Sequence, residues 1–271
     1  MDNELEDWLI GEIESLPPLP KTVLELERTM SDPASTASDV AEIIEKDSML
    51  TADLLKLINS SFIYLKHEIT SVAQIVSLLG RNTVKDYAVA ISIRRCFEID
   101  MAPYGLSLNE QSELASKRAF LARSVAEHMF DQSTRERVFL PALLLDIGRV
   151  LIAKRIAGDG KSDAFLGFAK DNGMDFKMAE KAFVGHLAEE ISCKMLEKWE
   201  IYGHIPKSII YSTKPHKSEE EIKPLALTLC AANMGIELLA GIADPSEVKQ
   251  RSSSLGMDPD TLLKLIGSSD I

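Results

Sequence analysis

Almost nowhere along this chain do apolar residues alternate with polar ones in steps of two; they recur in steps of three and four. That spacing places them on one face of an α-helix and gives no support to a half-buried strand, so the fold class expected is all-α. Leu5, Trp8, Leu9, Ile13 and Leu16 make the first stripe, ended by Pro17-Pro18-Leu19-Pro20. Val23, Leu26 and Met30 make a second, stopped by Ser31-Asp32-Pro33, and a third helix is expected to start at Ser38 or Asp39. The same reading predicts a helix over 49–59, and one opened by a Ser71 cap and closed by Gly80, whose conformational freedom suits a helix end. Val84, Tyr87, Ala88 and Ile91 follow on another face.

The stretch from Asp100 to Gly105, with Pro103, reads as a joint between two lobes. The expected organisation is an N-terminal helical lobe over 1–105, a second over 106–241 and a helical tail over 242–271. Leu114, Leu121, Ala122, Val125 and Met129 share a face in the second lobe, and Pro141 to Ala153 reads as one largely buried helix. Further helices are expected near 177–183, 188–198, 206–211, 225–240 and 259–267.

Composition narrows the function classes. Of the 271 residues 45% are hydrophobic and 27% charged, enough for a sizeable core and unlike a disordered chain. A formal charge of −12 has the wrong sign for a general binder of nucleic acid or of anionic membranes. Cys96, Cys193 and Cys230 are far apart and form no C-x-x-C pair, which fits reduced thiols in the cytoplasm. The acidic start, Met1-Asp2-Asn3-Glu4, lacks the basic region of a secretory signal, and no apolar run approaches the ~20 residues needed to span a bilayer. A cytoplasmic protein without membrane insertion is expected.

Motifs for a phosphate loop, a nucleophile elbow or an H-E-x-x-H metal pair are missing. The five histidines are scattered. Asp146 stands out, because it lies between Leu143-Leu144-Leu145 and Ile147-Gly148-Arg149 in a segment that reads as buried. A carboxylate there needs a partner, either an internal ion pair or a metal.

Leu145-Asp146-Ile147-Gly148 resembles the His-Asp-Ile-Gly core of the HD metal-dependent phosphohydrolases. The first half resembles HDOD, the HD-related output domain. The resemblance there is carried by Leu16-Pro17-Pro18-Leu19-Pro20, Asp47-Ser48-Met49-Leu50-Thr51, Asn59-Ser60-Ser61-Phe62 and Ile69-Thr70-Ser71-Val72 leading to Leu78-Leu79-Gly80. It extends to about Gly241.

What the resemblance implies for a metal site can be followed position by position. The family's first histidine falls within 114–117, where this chain has none. The histidine of the His-Asp pair is Leu145; the next falls on Ala188, or on His186 under a shifted alignment that spoils the match at Trp199. The paired histidines fall on Ser212 and Thr213, and the closing aspartate on Asn233. Asp146 alone survives, so neither a metal nor another cofactor is expected.

The resemblance implies a bacterial signalling protein without catalytic activity, whose partners are signalling or regulatory proteins. Asn59, Ser60, Phe62, Gly80 and Trp199 are expected to act structurally. Lys117, Arg118 and Arg149, with Arg123 nearby, could instead line an anion pocket where the metals would have been, making the protein a sensor of a nucleotide or another small anion. A residual phosphohydrolase is the third reading.

Overall fold

The computed structural model describes residues 2–60, 68–97 and 100–268, with no side chain described for 2–4 and 268. No strand occurs among the described residues. The chain divides into two compact units, one running Pro17–Glu98 and the other combining Met1–Leu16 with Ile99–Ser269. This grouping differs from a first lobe of 1–105: α1 (Asp2–Glu14) packs on the C-terminal unit, and Tyr104 lies inside that unit. An amphipathic stripe states that a helix needs a partner surface without saying which one.

The unit of Pro17–Glu98 holds α2 (Lys21–Ser31), α3 (Ala37–Glu45), α4 (Ser48–Ile58), α5 (Val72–Leu79) and α6 (Arg81–Arg94). Local chemistry sets the helix starts. Thr36 and Asp39 form a capping box at α3, Asp47 caps α4, and Ser71 with Gln74 forms a second box at α5, as its sequence predicts. Asn59 ends α4, and its side chain holds the chain that re-enters at Ile69: Nδ2 donates to the Ile69 carbonyl (2.7 Å) and Oδ1 accepts from the Ile69 amide (2.8 Å). The Ser60 hydroxyl donates to the Leu57 carbonyl (2.7 Å). Phe62 lies outside the described residues. Gly80 joins α5 to α6 at φ +79°, a conformation that requires glycine, although nothing would crowd a Cβ there.

In the C-terminal unit a 3₁₀ turn at Ala102–Tyr104 precedes the long α7 (Leu108–Met129), which packs on α9 (Phe139–Leu144) after the short α8 (Gln132–Arg137). Next come α10 (Arg149–Gly158), α11 (Ser162–Asp171), α12 (Phe176–Val184), α13 (Ala188–Lys198), α14 (His204–Tyr211) and α15 (Lys223–Leu239). The tail forms α16 (Pro245–Ser254) and α17 (Pro259–Ser268), packed on α15 and α7. Its anchors are Val248, Leu262 and Ile266, each almost fully buried. Trp199, at the end of α13, is buried.

The single helix expected over Pro141 to Ala153 is broken. Between α9 and α10 the chain winds more tightly, with Ile147, Arg149 and Val150 each donating to the carbonyl three residues back. The break lets this turn meet α13 backbone to backbone. The Gly148 amide donates to the Ser192 hydroxyl (2.8 Å), which lies within bonding distance of the Leu145 and Ala188 carbonyls (3.0 and 2.8 Å). A Cβ on Gly148 would stand 2.3 Å from the Ala188 carbonyl oxygen and 2.8 Å from the Ser192 nitrogen. Both are backbone atoms that no rotamer change can move. Gly148→Ala is therefore expected to lower the unfolding free energy by about 3 kcal/mol, at the upper end of overpacking costs, as read by urea unfolding.

Candidate functional site

Asp146 projects from this turn into the interior of the C-terminal unit and is only 5% exposed. Its charge is met by Arg118 from the middle of α7, itself 4% exposed. The Arg118 Nη2 donates to Asp146 Oδ2 at 2.7 Å, while Nη1 donates to the Ala142 carbonyl at 3.2 Å. Arg149, one turn along from Asp146, adds a second guanidinium at 3.6 Å.

The network continues through Arg149. Its Nε lies 3.5 Å from Oε1 of Glu180, a fully buried residue of α12. The Tyr104 hydroxyl donates to the same oxygen (3.1 Å), and Glu180 Oε2 accepts from the Ala188 amide at the start of α13 (2.9 Å). The guanidinium of Arg149 packs over Tyr104 (5.0 Å from the ring centre) and Phe176 (5.8 Å). Burial pushes the Glu180 carboxyl up to about 7, against the pull of Arg149 and with the help of Glu189. Burial lifts Tyr104 well above its ordinary value, reinforced by the Glu180 charge. For Arg149 burial opposes the cation, but Asp146 and then Glu180 outweigh it, and the net shift is upward.

A cavity of about 870 Å³ opens beside this network, wholly within the C-terminal unit. Arg118, Arg149, Lys170, Lys177 and Arg251 line it, against the five carboxylates of Asp146, Asp175, Glu189, Glu237 and Glu247. Most of these charges are already paired: Lys177 with Glu189 at 3.1 Å, and Arg251 with Glu237 at 2.5 Å and Glu247 at 3.4 Å.

Of the positions singled out in the sequence, Leu145, Asp146, Ala188, Asn233, Arg118 and Arg149 do line one cavity. Lys117 does not line it. Ser212, whose hydroxyl donates to the Ile209 carbonyl, and Thr213 lie outside it. Arg123 covers the ring of Phe139 at 4.1 Å. His186 pairs with Glu6 of α1 at 2.9 Å rather than facing the cavity. Sequence reasoning missed Tyr104, Glu180 and Glu189. Glu180 carried a readable signal, since Phe176, Ala179, Glu180, Phe183 and Val184 keep helical spacing and put an acid on the apolar face.

The HD superfamily implies a divalent metal at this place, and the donor set does not fit one. Leu145 and Ala188 offer no donor atom, Asn233 only a neutral carbonyl, and the Asp146 charge is taken by two guanidinium groups. No cluster of three His, Cys, Asp or Glu side chains suited to a metal occurs among the described residues.

Two outcomes follow. Arg118→Met leaves Asp146 buried with only the more distant Arg149, and is expected to cost about 3–5 kcal/mol in urea unfolding, part of which Asp146→Asn recovers in the double variant. Glu180 has a folded-state pKa above its ordinary 4.5, so the folded protein holds a proton that the unfolded chain releases. Its contribution is present below about pH 4.5 and is lost as pH rises through about 7. Relative to Glu180→Gln, the wild type should lose on the order of 3 kcal/mol between pH 4.5 and 8, as checked by unfolding midpoints across that range.

The sequence profile of the HDOD domain matches residues 16–217. An uncharacterized protein of Treponema pallidum is 23% identical over 242 residues, 84% of this chain and 44% of that protein, so the chain spans less than half of that relative. Among solved structures, a provisionally named phosphohydrolase from Shewanella amazonensis SB2B has a TM-score of 0.70 at 22% identity, covering 97% of this chain and 95% of that one. A provisionally named signal transduction protein from Marinobacter aquaeolei VT8 has a TM-score of 0.69 at 19% identity, over 98% and 63%. At those identities the structural likeness speaks for the fold. The helical architecture, the capped helices of the first unit and the profile match over most of the chain agree, and this chain belongs to the HDOD domain family.

Proposed function

We propose that this protein is a non-catalytic HDOD output or adaptor module that acts in bacterial signal transduction by binding regulatory proteins. The observation that carries this reading is the Arg118–Asp146 pair at 2.7 Å. In place of a divalent ion the chain supplies its own fixed cation, and a guanidinium can neither activate water as a Lewis acid nor exchange ligands. Leu145 and Ala188, both buried, supply apolar surface where the family places imidazoles. The family match and a similarly folded protein named for signal transduction are in keeping with an output role.

A second reading, a sensor of a nucleotide or other small anion, is favoured by the convergence of Arg118 and Arg149 on one cavity. Against it stands the internal pairing of both guanidiniums and the equal number of carboxylates around them.

Elemental analysis of protein purified without chelator, with hydrolysis of bis(p-nitrophenyl) phosphate measured in added Mn²⁺, tests the proposal. No stoichiometric transition metal and no turnover above an Asp146→Asn control are expected. Bound metal with turnover that Asp146→Asn abolishes would overturn it.

A further inference from the structure

We propose that the cavity of the C-terminal unit receives a short, uncharged peptide segment with aliphatic side chains, held through its backbone amides by Asn233 and Glu189. This names the chemistry of the partner and rests on the reading of the protein as a binding module.

Three features of the cavity select that class. Its charges are balanced and largely paired with one another, so an anion meets as many carboxylates as cations, and a basic ligand meets the reverse. A ligand without net charge breaks none of these pairs.

The hydrogen-bonding capacity left over, which besides the Nε of Arg118 and of Arg149 lies on Asn233 and Glu189, suits a peptide group. Asn233, half-buried on α15, makes no side-chain hydrogen bond among the described residues, and its carboxamide offers one acceptor and two donors to the cavity it lines. Glu189 is 4% exposed; its Oε1 is held by Lys177, while Oε2 accepts no hydrogen bond. A buried acceptor without a donor is costly, and a backbone N–H supplies one. Successive N–H and C=O groups of an extended segment can serve both residues.

The walls favour aliphatic groups over flat rings. Arg149 already covers Tyr104 and Phe176, the two aromatic rings of the lining. The remaining apolar surface includes Leu114, Leu166, Met174, Ile236 and Ile242. Ile242, 42% exposed, carries that surface outward, so a segment of a larger partner can enter. The volume of about 870 Å³ lies at the upper end of the range for ligand pockets, ample for a few residues.

The test titrates acetyl-Leu-Leu-methylamide into the full chain at up to millimolar concentration, followed by chemical-shift changes. The Glu-Glu and Lys-Lys analogues and ATP serve as comparators. Saturable binding of the dileucine probe, weaker binding of the charged ones, and a Kd raised about tenfold by Asn233→Ala and by Glu189→Gln are expected. Should Glu189→Gln fail to fold for want of its pairing with Lys177, Asn233→Ala decides, since that side chain holds nothing inside the protein. Tighter binding of ATP or of a charged peptide, no binding of the dileucine probe, or an unchanged Kd in Asn233→Ala each overturns the proposal. Metal-dependent turnover would instead overturn the module reading, so the two failures are distinguishable.

Discussion

A carboxylate inside an apolar shell has to be answered, and the answer given to Asp146 organises the C-terminal unit. Arg118 reaches it from α7 at 2.7 Å and Arg149 from α10 at 3.6 Å, and Glu180 on α12 takes up the other side of Arg149. Glu180 in turn accepts from the amide that begins α13. Four helices and the turn between α9 and α10 are thereby tied to one chain of alternating charges. Such a chain adds little net stability over an apolar core of the same volume, because desolvation offsets most of the attraction. What it imposes is intolerance: each member is correct only while the others are present.

The same constraint bears on chemistry. A metal site needs donors that are free to exchange their protons and waters for an ion, whereas here the surviving acid is committed to guanidinium groups. The close approach of Gly148 to α13, which keeps the turn in place, persists although the neighbouring donor position is Leu145. Backbone geometry and apolar packing are needed for folding whether or not anything is bound. The cavity beside the network is left with largely paired charges, aliphatic walls and unused hydrogen-bonding capacity, on Glu189 and Asn233 among others.

Both ends of the chain contribute to this unit. From α1 come the buried Leu9 and ion pairs of Glu6 with His186 and Glu12 with Lys154. From the tail, Glu247 and Arg251 of α16 complete one wall of the cavity. Residues 242–271 lie beyond the matched family profile, and Ile242, Ala243, Glu247 and Arg251 among them line the cavity.

Helix class, the cap at Ser71 and the need of Asp146 for a partner were legible in the sequence, because apolar spacing, capping chemistry and the cost of a buried charge act over a few neighbouring residues. The absence of imidazoles at 145 and 188 was legible too, since a missing donor atom needs no coordinates. What only the tertiary structure decided is which cation answers Asp146, that Tyr104 and Glu180 join it, that the expected helix over 141–153 breaks over residues 145–148, and that α1 belongs with the second unit. Each of these depends on contacts between residues far apart in the chain. Side-chain periodicity shows that a face is buried and carries no information about what buries it.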